Sequence, residues 1–284
     1  MKNFLFSLAA LAALTMVACE DSTPVDPEPV DSEQMAFKSG ARYEYNSYST
    51  DPETGAKQDL TERNRTWTLV QSGASVQGKT GVAMFIDSIF SLGGVVDLTD
   101  TIYLRQESGT NQVYRYASLA PELDFSGFEA IDLERDWMYE TRLNATSASW
   151  FVGRTQDTIP YDPGITGVTV DGLELAITDS AVASVVETLT IDGADYKTTK
   201  TTHKLLLSIT VIGKVGPIPA AVPLKTFSLE RNSWVSPTLG AIVREEREGA
   251  VIDASFDLGG QSQGVTIPVP GYKLMMTSVL STGG

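Results

Sequence analysis

What most restricts this chain is a hydrophobic period of two, repeated over many runs and broken by turn residues. Ala250, Ile252, Ala254, Phe256 and Leu258 alternate with Val251, Asp253, Ser255 and Asp257, the pattern of a strand with one buried and one wet face. Thr199, Thr201, His203, Leu205, Leu207, Ile209 and Val211 make one face of a longer strand, whose other face begins Thr198, Lys200, Thr202 and Lys204. Tyr43 and Tyr45 open a similar run. The helical period is scarce. Ser180 to Glu187 puts Val182, Val185 and Val186 on one side with Asp179 or Ser180 as N-cap. The same residues also read as a strand running into the Asp192-Gly193 turn, and the strand is preferred. Leu119 to Glu134 shows neither period and reads as a long loop with a short helix.

Turn chemistry sets the connections. Asp171-Gly172 reads as a two-residue hairpin, because Asp-Gly supplies the positive φ that such turns need. Asp192-Gly193 reads as a slightly longer one. Ser236-Pro237-Thr238-Leu239-Gly240 joins the run ending at Val235 to Ala241–Arg244. Closely spaced strands with short turns predict a mainly β fold: an antiparallel curved sheet, partly open barrel or sandwich, with little helix. The β domain is expected over residues 37–284, as one domain rather than two halves abutting near residues 155–164.

The N-terminus reads as an address. Lys2 precedes an apolar stretch from Phe4 to Leu14, too short to span a bilayer, which takes ~20 residues. Residues 1–18 are therefore expected to be a secretory signal peptide. The only cysteine of the chain, Cys19, stands at the expected cleavage point. The run Met16-Val17-Ala18-Cys19 resembles the lipobox of bacterial lipoproteins, with Met where Leu is usual. The resemblance implies lipidation of Cys19 and cleavage before it. Residues 19–36 are then the lipidated Cys and an acidic, Pro-rich tether. Glu20 to Glu33 holds six acids, no bases and three prolines, a composition that stays solvated and extended, over roughly 40 Å at ~3.1 Å per residue. The Glu20-Asp21 pair faintly resembles acidic sorting signals for the outer cell surface, but a merely solvating tether is the preferred reading.

A second resemblance lies in the domain. The opening run Gly40 to Tyr45, and the hairpin Trp234-Val-Ser-Pro237-x-x-Gly240-x-Ile-Val-Arg-Glu245, resemble those of envelope lipoproteins with curved, partly open barrels of the lipoprotein-carrier (LolA-like) type. The two pieces cover about 60 residues and bring no catalytic residues. The resemblance implies a concave apolar face able to hold an acyl chain or polymer. The chain is longer than that family leads one to expect.

Composition excludes several chemistries. One Cys and one His cannot build a Cys/His zinc site, and no disulfide can form within the chain. A net charge of −15 argues against nucleic acid, which needs a basic face. Gly260-Gln261-Ser262-Gln263-Gly264 matches the nucleophile pattern Gly-x-Ser-x-Gly, yet Pro268 and Pro270 forbid the helix that should follow, and no His lies beyond residue 203. It reads as a loop between strands. His203 is the one base with a near-neutral reference pKa. It is expected at the barrel rim or in solvent, without a placed acid partner. Glu122, Asp124, Glu129, Asp132, Glu134 and Asp136 read as a solvated acidic surface rather than a calcium or glycosidase site. Trp67, Trp137, Trp150 and Trp234 read as core and cross-strand aromatics before a sugar-stacking platform. Arg231, Arg244, Glu245 and Arg247 are expected to form exposed pairs across the Pro237 hairpin.

These readings add up to a non-enzymatic, lipid-anchored cell-envelope protein, of the outer membrane in particular. No catalytic, cofactor-binding or metal residue is expected, and Cys19 is the one modified residue. Its expected partners are the membrane, through the lipid on Cys19, and an apolar ligand, a polymer or an envelope protein. A surface glycan-binding module is the alternative; it predicts exposed aromatics in line and no inner apolar cavity. A hydrolase using carboxylates with His203 or Ser262 is the third reading.

Overall fold

The computed structural model describes residues 33–118, 135–160, 168–215, 218–258 and 261–283. Strand β1 is Ala41–Thr50, β2 Arg63–Val76, β3 Lys79–Phe90, β4 Val96–Gln106, β5 Gln112–Ala117, β6 Asp136–Arg142 and β7 Trp150–Ile159. Then come β8 Val168–Ile191, β9 Ala194–Val215, β10 Ile218–Ser236, β11 Ala241–Arg247, β12 Ala250–Leu258, β13 Gln261–Val269 and β14 Gly271–Thr282. There is no helix among the described residues. Twelve strands form one antiparallel sheet in the order β6-β5-β4-β3-β2-β1-β14-β11-β10-β9-β8-β7, nearly closed into a barrel. Strands β12 and β13 form a separate two-stranded sheet, with no other partner strand among the described residues. The expected fold class is the observed one. The Leu119–Glu134 loop lies outside the described residues.

Alternation decides which side chains face inward. On β9, Thr199, Thr201, His203, Leu205, Leu207, Ile209 and Val211 are all buried, as their spacing predicts. Leu173, Leu175 and Ile177 of β8 pair in register with Val211, Ile209 and Leu207. With Leu229, Met138, Val152, Ile252 and Val269 they make one apolar cluster. Tyr43, Trp67, Phe85, Leu104, Val113, Val235 and Ile242 belong to a second. The run from Ser180 to Glu187 is strand. It carries no helix because its alternate residues Ala181 and Ser184 must continue the buried face of β8 across a register shift.

One turn expectation fails. Asp171-Gly172 is not a hairpin: β8 runs through it, and the pairing with β9 merely shifts register between Val170 and Gly172. A β-bulge uses the same permissive residues as a tight turn, and the continuous partner strand decides between them. Asp192-Gly193 does turn, with both residues at positive φ.

Residues 33–40 plug one end of the barrel. The Gln106 side chain donates to Glu33 O (2.7 Å) and accepts from Met35 N (2.7 Å). Ala36 N donates to Pro237 O (2.8 Å). Tyr43 and Tyr45 of β1 reach past the intervening β14 to donate to Leu239 O (2.5 Å) and to Ile242 O of β11 (2.8 Å). The opening run and the Pro237 hairpin, far apart in sequence, are thus bonded to each other. Gly240 is held at φ 63° against this plug, and a Cβ there would lie 2.5 Å from Ala36 O. Gly193 has φ 77° with open space around it. Gly240→Ala is therefore expected to cost about 2 kcal/mol or more, from backbone strain and the clash. Gly193→Ala should cost only the strain, about 1–2 kcal/mol. Urea unfolding of both variants, read as midpoint shifts at constant slope, checks the order.

Candidate functional site

Where the two apolar clusters meet, the barrel interior is charged. Six strands contribute: Arg115 from β5, Glu140 from β6, Asp179 from β8, His203 from β9, Arg231 and Ser233 from β10, and Glu245 from β11. Glu140, His203 and Ser233 have no exposure, and Asp179 has 1%. Arg231 is the hub. Its Nη1 lies 3.0 Å from Glu140 Oε1 and 3.5 Å from Glu245 Oε1; its Nη2 lies 3.2 Å from Asp179 Oδ2. Arg115 Nη1 closes the group on Glu245 Oε2 at 2.7 Å. Thr141 and Thr201 hydroxyls, 2.6 Å apart, tie β6 to β9 beside it. A second interior ion pair joins Arg65 to the fully buried Asp87, with Arg65 also donating to Tyr272 Oη at 2.7 Å.

The electrostatics follow from burial and charge count. Burial alone would raise the pKa of Glu140; Arg231, His203 and Arg115 outweigh it, a hydrogen bond from Ser233 adds to them, and the carboxyl is held down at about 2. Burial opposes the ionised form of Asp179 too, and hydrogen bonds and charge from His203 and Arg231 hold it below the ordinary range. Glu245 is likewise lowered: Arg115 and Arg231 overcome its burial and the repulsion of Glu140. Arg231 is pushed upward by Glu140, Asp179 and Glu245 in spite of its burial.

These contacts correct two expectations. His203 is at the centre of the interior, not at a rim, and Asp179 and Glu140 are the acid neighbours that sequence did not place. Arg231 and Glu245 do meet across the Pro237 hairpin, but buried. Only Arg244 keeps to the outer face, 2.7 Å from Glu246 and over the ring of Trp234. Arg247 is buried and donates to Pro270 O at 2.9 Å.

The order Asp179, His203, Ser233 is that of a nucleophile relay, with Nδ1 3.3 Å from Asp179 Oδ1 and Nε2 3.4 Å from Ser233 Oγ. Its environment differs from a relay's. Nδ1 also lies 3.2 Å from Arg231 Nη2, so an Nδ1–H bond to Asp179 and a donation from Arg231 exclude each other. Ser233 reaches no surface. What the group does in this geometry is clamp six strands by charge.

The remaining candidates are placed as follows. Ser262 lies on β13 opposite Asp257 of β12, in a hairpin and not at a strand-to-helix turn. Of the acidic run, only Asp136 is described; it is exposed at the start of β6. No metal-holding group of three or more His, Cys, Asp or Glu occurs among the described residues. Cys19 and the tether to Ser32 lie outside them. Trp67 is buried between Tyr45 and Phe85. Trp137 packs against Tyr116, and Trp150 stacks on Tyr139, which stacks on Tyr114. These half-buried rings cover one another's faces, as cross-strand pairs do.

Strands β6 and β7 are the two ends of the sheet and form no ladder with each other. Near their connection Trp150 Nε1 donates to Tyr139 O at 2.9 Å, and Met138 and Val152 share the apolar cluster. Further along they leave a cleft of about 410 Å³, with Asp136, Trp137 and Met138 on one wall and Phe151 to Thr155 on the other. A second, polar cleft of about 340 Å³ lies among Thr50, Asp51, Asn232, Glu246, Glu248 and Lys273.

No protein-family model matches the chain, and no curated protein is significantly similar to it. Two solved structures overlap it with a TM-score of 0.45 at 11% identity, covering 88% of this chain and 100% of theirs. One, from Bacteroides fragilis NCTC 9343, is described as exported and as having a YmcC-like fold. The other, from Parabacteroides distasonis ATCC 8503, is described as a lipoprotein.

The clamp predicts both a mutant phenotype and a pH dependence. Carboxyls with depressed folded values add stability that is complete above the unfolded value, near 4.5 for Glu. It is lost as pH falls through the folded values toward about 2. Unfolding midpoints should therefore hold steady above about pH 5 and fall below it. Arg231→Met leaves buried carboxylates unpaired and should cost about 3–5 kcal/mol at neutral pH. That cost should shrink toward pH 4, where the carboxyls protonate, and adding Glu140→Gln should recover part of it. Denaturant unfolding of the single and double variants at several pH values measures all three.

Proposed function

We propose that this is a non-enzymatic, lipid-anchored envelope protein whose barrel recognises an envelope partner from its outer surface. Residues 1–18 direct export, the Cys19 thiol carries the lipid, and the acidic tether holds the barrel off an outer membrane. The observation that carries the reading is the ion cluster at the barrel centre. Charged side chains stand between the apolar ones on the inner face, and the imidazole and hydroxyl that resemble a relay have no exposure. Such an interior favours a rigid scaffold over a lipid carrier or a hydrolase. The half-buried aromatic pairs, with their faces covered, do not favour a glycan platform.

Cys19→Ser is expected to move the protein from the membrane fraction to the soluble fraction and to abolish incorporation of labelled palmitate. Membrane fractionation with metabolic labelling reads both. A variant that stays with membranes and keeps its label overturns the anchor.

A further inference from the structure

We propose that the β6–β7 cleft is a strand-docking site for an extended polypeptide of the envelope partner. The inference deepens the reading above by naming the partner's chemistry. It rests on recognition from outside the barrel and is independent of the anchor.

Among the described residues the twelve-stranded sheet ends in two unpaired edges: β6 pairs with β5 and β7 with β8, and neither has a second partner strand. An edge strand presents a row of backbone donors and acceptors, and an added extended chain is the ligand that matches such a row. The edges approach at the Tyr139–Trp150 contact and then part around the cleft. Its volume of about 410 Å³ lies in the range of small built sites, and its open mouth lets a longer chain run on.

The side chains at the cleft add a second, independent observation. Phe151 is 61% exposed on the β7 wall. On the β6 wall Trp137 is half-buried beside Tyr116 and lines the same cleft. Asp136 and Arg154 stand exposed on opposite walls. The site therefore fits an extended segment with an apolar residue against Phe151 and Trp137, a basic residue toward Asp136 and an acidic one toward Arg154. A lipid offers no row of amides to the edges, and a sugar matches them only in part.

The test uses the full-length chain in dodecyl maltoside and a phage-displayed library of random dodecapeptides. Selected peptides are synthesised, their affinities measured, and backbone amide exchange followed by mass spectrometry. Converging peptides with an alternating apolar pattern should slow exchange in β6 and β7. Phe151→Asp should weaken them by about tenfold or more, with the unfolding midpoint unchanged. Four results overturn the proposal. One is that β7 amides are already protected in the free protein. Another is that no peptide is selected, or that selected peptides leave edge exchange unchanged. A third is protection that grows with protein concentration alone, which assigns the edges to a second copy. The fourth is a chito-oligosaccharide that binds at Phe151 while the edge amides exchange freely. None of these depends on where the protein fractionates, so this site and the anchor fail separately.

Discussion

A guanidinium inside a protein has to be matched by carboxylates at hydrogen-bond distance, or the cost of taking it out of water is not recovered. Arg231 meets this requirement with three carboxylates, Glu140, Asp179 and Glu245, and the strands that deliver them span the sheet from β6 to β8. Glu140 and Asp179 come from the two ends of the sheet, on β6 and on the strand beside β7. The ladder does not close between β6 and β7, yet Arg231 holds both sides of the opening by charge. Closure here is electrostatic where in a complete barrel it would be a row of backbone bonds.

A wide barrel must also be filled. Two apolar clusters do this, with the N-terminal plug over one end and Ile252 and Val269 of the β12–β13 hairpin in the cluster under the long strands. Tyr43 and Tyr45 join β1 to the β10–β11 hairpin, apolar along their length and hydrogen-bonded at the tip. Their hydroxyls are pushed upward by burial, Tyr43 to about 12. They remain donors at every pH the fold would meet. The centre is thus a set of paired charges between two apolar clusters.

The period of two marks β9, β12 and the opening of β1 as strands, because alternation is a local property of an extended chain. It also contained an unused sign of the ion cluster. Asp179 follows Leu173, Leu175 and Ile177 in phase, Arg231 follows Phe227 and Leu229, and His203 precedes Leu205 and Leu207. A charged residue in phase with a buried column is itself buried and must find a partner there. Read column by column, the sequence marks each member of the cluster. It does not mark their meeting, since that depends on which columns face each other.

The sequence by itself determined the antiparallel β class, the strands with clear alternation and the turns at Asp192-Gly193 and Pro237–Gly240. Those follow from neighbours along the chain, where torsions, periodicity and spacing act. Only the tertiary structure decided that Asp171-Gly172 continues a strand, that His203 sits at the centre, and that β6 and β7 end the sheet without joining. Each of these depends on a strand distant in sequence. The residues alone carry no record of which distant strand will supply the hydrogen bonds, the counter-charge or the open edge.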